Sequence, residues 1–264
     1  MKLSISNIAW SVEYDDEMYT FLADNGFDGI EAAPTRIFPE TPYDRLAEAE
    51  EYSKRLKDSY GLSILSIQSI WYGITESIFG SDSDRKKLVE YTKKAIDFTK
   101  ALGCRNLVYG CPKNRAIPPG TANYLSVACD FFCAVGTYAA DCGVCAAIEP
   151  NPPIYNTNFI NTTTEAFDLC KKLNNPGIKI NLDLGTMIHY GEKTEILKDN
   201  IALINHIHVS EPYLAPIEKR HLHRELISEL RELKYSKCIS VEMGSPNDLE
   251  LVKKSALYIK ELLE

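Results

Sequence analysis

Four apolar runs in the second half of this chain each end on a side chain able to bind a divalent cation. They are Ala146-Ala147-Ile148-Glu149, Ile180-Asn181-Leu182-Asp183, Ile204-Asn205-His206-Ile207-His208 and Ile239-Ser240-Val241-Glu242. Their last residues are spaced by 34, 25 and 34 positions. A strand, a crossover helix and the next parallel strand take roughly 30 residues, so each interval holds about one such unit. Parallel strands linked in this way run in one direction and end on one face. The spacing therefore predicts four neighbouring strands that bring Glu149, Asp183, His208 and Glu242 to one site.

The same alternation runs along the whole chain. Lys2 to Ala9, Phe27 to Ala32, Leu62 to Gln68 and Asn106 to Gly110 read as strands one to four. Val144 to Glu149, Ile178 to Asp183, Ile204 to Val209 and Cys238 to Glu242 read as strands five to eight. Between them lie amphipathic stretches. One carries Met18, Phe21 and Leu22 and stops at Asn25-Gly26. Others run from Leu46 to Ser59, Arg85 to Leu102 and Ala122 to Ala140, and one starts near Thr162 or Thr163. Thr162 or Thr163 is a suitable N-cap, and a glycine after a helix is a stop signal. A short helix is expected near Glu195 to Asn200, and longer ones at Arg224 to Leu233 and Leu249 to Leu263. Eight strand–helix units favour a closed α/β barrel, a (β/α)8 TIM barrel spanning 1–264 as one domain. The alternative, an open dinucleotide-binding sheet, needs a glycine-rich loop after the first strand. Asn7-Ile8-Ala9-Trp10-Ser11 is not one.

Composition narrows the partners. The formal net charge is −8, which argues against nucleic acid. No apolar run is long enough to span a bilayer, and a cytoplasmic location is expected. The eight cysteines are scattered. Cys142 and Cys145 have redox-motif spacing, but Cys145 falls in a predicted strand and reads as a small core residue.

Three carboxylates and one imidazole form an oxygen-rich donor set that suits Mn, Mg or Co, with Zn also compatible. The surrounding residues carry a resemblance. Ile148-Glu149-Pro150 with Asn158-Phe159-Ile160-Asn161-Thr162, Leu182-Asp183-Leu184-Gly185, His206-Ile207-His208-Val209-Ser210-Glu211-Pro212 and Val241-Glu242-Met243 resemble the xylose isomerase-like TIM barrel superfamily. More narrowly, they resemble its sugar phosphate isomerase/epimerase branch. Asn7-Ile8-Ala9-Trp10, Gly29-Ile30-Glu31, Ser66-Ile67-Gln68-Ser69 and Leu107-Val108-Tyr109-Gly110 fit the same branch. The resemblance implies that Glu149, Asp183, His208 and Glu242 hold a divalent metal, with Glu149 and Glu242 also acting as the acid/base pair. A metal that grips a carbonyl and the neighbouring hydroxyl acidifies the C–H between them. One carboxylate removes that proton, an enediolate forms, and the other carboxylate returns a proton. Return to the opposite face gives an epimer, and return to the adjacent carbon an aldose–ketose isomer. Other chemistries on the scaffold are a dehydratase of keto-inositols and an endonuclease IV-like phosphodiesterase. The latter uses many more histidines than the five present here.

Two positions depart from the branch. Thr186 stands where relatives often have histidine, and Leu214 where epimerases of free ketohexoses carry arginine. His189 is a candidate substitute for the first. Further substrate-binding candidates are Trp10 and Trp71 as apolar walls, Lys113 and Arg115 for a phosphate or carboxylate, Gln68 and Glu211 for hydroxyls, and His223. His206, two residues before His208 on the same strand face, is expected to pack behind the site, and His221 lies in the loop near His223. The expected partner is a small carbohydrate, with self-association into a homo-oligomer left open and neither nucleic acid nor membrane involved.

Overall fold

The computed structural model describes residues 1–264. Its strands are β1 (Lys2–Ser6), β2 (Gly29–Ala32), β3 (Ser63–Ile67), β4 (Asn106–Tyr109), β5 (Cys145–Ile148), β6 (Ile178–Asp183), β7 (Ile204–Val209) and β8 (Cys238–Val241). All are parallel and follow chain order around a closed barrel. β1 seals against β8, with Lys2 opposite Cys238 and Ile5 opposite Val241. Outside lie α1 (Asp15–Asp24), α2 (Pro34–Ile37), α3 (Leu46–Tyr60), α4 (Asp82–Ala101), α5 (Tyr124–Asp141), α6 (Thr163–Leu173), α7 (Leu184–Tyr190), α8 (His221–Glu232) and α9 (Leu249–Leu263). The chain thus forms the (β/α)8 TIM barrel that its eightfold alternation predicts.

Strand side chains alternate between two faces. Leu3, Ile5, Leu107, Ile148, Ile180, Leu182, Ile207, Ile239 and Val241 are buried in the apolar core shared with the helices. The intervening residues point into the barrel and are mostly polar: Ser4, Ser6, Glu31, Ser66, Asn106, Asn181, His206, His208 and Ser240, all buried. They pair with one another inside it. Gln68 Nε2 donates to Ser6 Oγ at 2.5 Å, and Asn106 Nδ2 to Ser66 Oγ at 2.9 Å. The barrel interior is therefore a polar column within an apolar sleeve.

Several boundaries differ from expectation for local reasons. β1 ends at Ser6 because Asn7–Ala9 turns into a 3-10 helix, and Asn7 Oδ1 accepts the Ala33 N–H. α4 starts three residues early because Ser81 and Asp84 form a capping box. Near Glu195 to Asn200 the chain makes only 3-10 turns, at Thr194–Leu197 and Ile201–Leu203. The helix of this unit is α7 instead, which follows β6 directly. Asp183 caps it by accepting from Thr186 N at 2.7 Å. No helix is long and apolar enough to cross a membrane.

Candidate metal centre

Each of the last four strands has an inward position within one residue of its C-terminal end: 149, 183, 208 and 242. The ligand atoms of Glu149, Asp183, His208 and Glu242 all lie within 4.8 Å of one another, and all four residues are buried. Three elements of support fix them. Asn181 Nδ2 donates to Glu149 Oε1 at 2.7 Å and Asn151 Nδ2 to Glu149 Oε2 at 2.9 Å. Thr186 N and Oγ1 donate to Asp183 Oδ2 at 2.7 and 2.8 Å, and Ser210 Oγ donates to Asp183 Oδ1. Glu31, reaching across the barrel from β2, lies 3.0 Å from His208 Nε2 and 3.0 Å from His206 Nε2.

Gly110 occupies the inward position after β4. A Cβ there would come within 2.7 Å of Glu149 Oε2, so the absence of a side chain makes room for the carboxylate.

The donor set fits a divalent cation. His208 Nδ1 faces Glu149 Oε1 at 2.8 Å and Glu242 Oε2 at 3.1 Å, yet it has no hydrogen bond of acceptable geometry. Its other ring nitrogen is taken by Glu31, the arrangement by which an outer carboxylate orients a metal-binding histidine. Burial, followed by the charge of Glu149, pushes Asp183 up to about 6. Burial pushes Glu242 up to about 7, with Glu149 and Glu31 adding to the rise. Burial also works to raise Glu149, but His208, Asn151 and Arg115 outweigh it and hold this carboxyl below its usual range. Burial opposes charge on His208, yet Glu242, Glu31 and Glu149 hold the imidazole well above its usual value. Buried carboxylates that raise one another need positive charge between them, which a cation supplies. These residues could hold such an ion.

The cleft above the cluster has a volume of about 150 Å³. Gln68 and Leu214 line it, together with Val108, Asn151 and Tyr155. The other sequence candidates stand elsewhere. Trp10 is buried and donates to Asp15 Oδ1 at 2.8 Å. Trp71 is buried against Tyr109 and Phe131 and donates to Thr92 Oγ1 at 3.0 Å. Lys113 is exposed. Arg115 is fully buried, and its Nη2 donates to the Glu149 carbonyl at 2.8 Å and to Asn151 Oδ1 at 2.7 Å. Glu211 is buried in a bidentate pair with Arg220. His223, buried on α8, lies 3.3 Å from Tyr258 OH. His189 is exposed at the end of α7 and His221 is exposed. His206 is buried beside Glu31, behind His208.

Sequence reasoning did not single out Asn151, Asn181, Tyr155 or Ser210. Asn181 had a visible signal, since it lies two residues before Asp183 and shares its inward face. The others sit on loops whose path is set by the finished barrel.

A sequence profile described as "Xylose isomerase-like TIM barrel" matches residues 19–262. The chain belongs to that family. A sequence comparison with curated proteins found no match. Among solved structures the chain is similar to 3-keto-D-glucoside 4-epimerase from E. coli, with a TM-score of 0.79, 18% identity and coverage of 99% of both chains. It is similar to D-psicose 3-epimerase crystallised in the presence of D-fructose, with a TM-score of 0.78, 18% identity and coverage of 99% of this chain and 97% of that one. It is also similar to an AP endonuclease, family 2, from Brucella melitensis, with a TM-score of 0.75, 17% identity and coverage of 99% of both. At these identities the likeness is one of fold.

Proposed function

We propose that the protein is a divalent-metal-dependent isomerase or epimerase of a sugar, a sugar phosphate or a related keto-polyol. The observation that carries this reading is the convergence of Glu149, Asp183, His208 and Glu242 at the C-terminal mouth of the barrel, where barrel enzymes do their chemistry. The solved proteins of similar fold include a 3-keto-D-glucoside 4-epimerase and a D-psicose 3-epimerase, and this supports the same substrate type.

Glu149, Asp183, His208 and Glu242 would hold the ion. When bound, a divalent cation polarises a substrate carbonyl and acidifies the C–H beside it. The chain's own residues then handle the proton. Glu149 is kept ionised by His208, Asn151 and Arg115 and takes the proton from carbon. Glu242 carries the complementary role and returns a proton to the enediolate. Asp183, locked by Thr186 and Ser210, stays out of the proton exchange and anchors the site. Gln68 and Asn151 line the cleft wall beside the substrate hydroxyls.

Elemental analysis of the purified protein is expected to find a stoichiometric divalent metal. Adding Mn to stripped protein at about a hundred times its Kd should stabilise the fold by about 2.7 kcal/mol, read as a rise in Tm. No metal and no rise would refute the site. Proton NMR in deuterated water, run over ketoses, their phosphates and an inosose, follows the reaction itself. Isomer, epimer and loss of a β-hydroxyl give different spectra. Exchange that survives in both Glu149→Gln and Glu242→Gln would remove the pair from the acid/base role.

A further inference from the structure

We infer that this cleft is built for an uncharged polyhydroxy ketone and against a phosphorylated or carboxylated one. The inference rests on the isomerase or epimerase reading above and narrows its substrate.

The charged side chains that line the cleft are Glu149, Asp183 and Glu242, and all are acidic. A divalent cation would offset two of these charges, and no lysine or arginine lines the cleft to receive a further anionic group. A phosphate ester brings up to two more negative charges to that surface, whereas a free ketose brings none. Hydrogen-bond polarity gives the same answer. Carboxylates are acceptors only, and the Gln68 amide nitrogen is already committed to Ser6 while its Oε1 accepts from Ser69 Oγ at 3.5 Å. An acceptor-rich wall needs donors opposite it. Sugar hydroxyls donate, and an ionised phosphate cannot.

Three arginines near the mouth are turned to other tasks, and the exposed Lys113 does not line the cleft. Arg115 follows β4 at the mouth, but its guanidinium is fully buried behind the wall and grips the Glu149 carbonyl and Asn151. Arg220 is held by Glu211 and Glu218, and Arg36 by Asp15. None of the three lines the cleft. Its remaining wall includes Val108 and Leu214, apolar surfaces suited to the C–H faces of a sugar. Leu214 enters from the loop after β7, with its backbone fixed by the bond from Gly244 N to Leu214 O at 2.8 Å.

The test pairs each free ketose with its own phosphate ester. D-Fructose and D-ribulose are compared with D-fructose 6-phosphate and D-ribulose 5-phosphate, with Mn-loaded protein in deuterated water. Proton NMR reads C–H exchange, and kcat/KM is taken for each. Like-charge juxtaposition costs several kcal/mol, so the free sugars should lead their esters by about a hundredfold or more. Leu214→Lys places a cation on the wall and should narrow that ratio by about tenfold. Esters that match or exceed the free sugars in the wild type overturn the inference and leave the isomerase or epimerase reading in place. Absence of exchange with every sugar, ester and inosose, from protein that Mn still stabilises, overturns that reading and the inference with it. If Leu214→Lys fails to fold by circular dichroism, the wild-type ratio alone decides.

Discussion

Strands β5 to β8 lead to Glu149, Asp183, His208 and Glu242 at their inward C-terminal positions. The corresponding positions of β1 to β4 hold Ser6, Glu31, Gln68 and Gly110. Both halves use the same βα unit and the same alternation of apolar outward and polar inward side chains. They differ in what the polar side chains do. The second half supplies the converging donors. The first half braces them: Glu31 reaches His208 across the barrel, Gly110 leaves space for Glu149, and Arg115, after β4, ties down the end of β5. A barrel can thus divide one site between a half that binds and a half that sets geometry.

That division can be broken by experiment. The largest effect should come from the binding half. Glu149→Gln is expected to slow substrate C–H exchange by about 10²–10⁴-fold with the circular dichroism spectrum unchanged. Gln68→Ala, at the matching position of the first half, should cost no more than about tenfold. Equal losses would dissolve the contrast. Next comes the bracing contact. Removing an outer partner of a metal-binding histidine typically weakens metal affinity about 10–100-fold, so Glu31→Gln should raise the Kd for Mn by that factor in calorimetry. An unchanged Kd would mean that His208 is oriented without the first half.

A smaller effect concerns stability on the second half's outer shell. Burial, followed by the Arg220 charge, lowers the His223 pKa to about 4. The folded state therefore resists a proton that the unfolded chain accepts below about pH 6.5. Stability is unaffected by this group above that value and falls as pH drops from about 6.5 towards about 4. The loss is on the order of 2 kcal/mol. Urea melts at pH 7.5 and 4.5 should show wild type losing more stability than His223→Gln, and identical losses would refute it. The smallest effect should be the same in both halves. Ser81 caps α4 in the first half and Thr162 caps α6 in the second, each in a capping box. Alanine at either should cost about 1 kcal/mol. Similar costs would show that the halves differ in chemistry and not in how they are held together.

The binding half was also the legible half. Its donors close apolar runs, and strand periodicity links each one to a face, so spacing alone could gather them. The bracing contacts join residues far apart in the chain. Glu31 and His208 are separated by 177 positions, and no local pattern connects them. Arg115 reads in sequence as a basic loop residue, since burial of its guanidinium depends on how the loop after β4 folds over Glu149. α7 escapes the sequence reading because its helical signal is short and carries a glycine at its second position. Gly185 is needed there, since a Cβ would meet Ser210 Oγ at 3.0 Å and Glu211 O at 3.2 Å. The helix begins at that point because the side chain of Asp183 caps it. Trp10 and Trp71 follow strands at the mouth, yet each is drawn into packing by a hydrogen bond to its own side of the barrel.

The seam between β1 and β8 also sets an order in time. Ser4 meets Cys238 across 234 positions of chain, so the cylinder cannot close until β8 has been made. Glu149, Asp183 and His208 are made before Glu242. Until β8 arrives, β1 presents an open edge of the kind that pairs with the wrong partner. The strand that removes this hazard is the one that delivers the fourth donor. A newborn chain therefore gains its sealed edge and its complete set of converging donors in a single event.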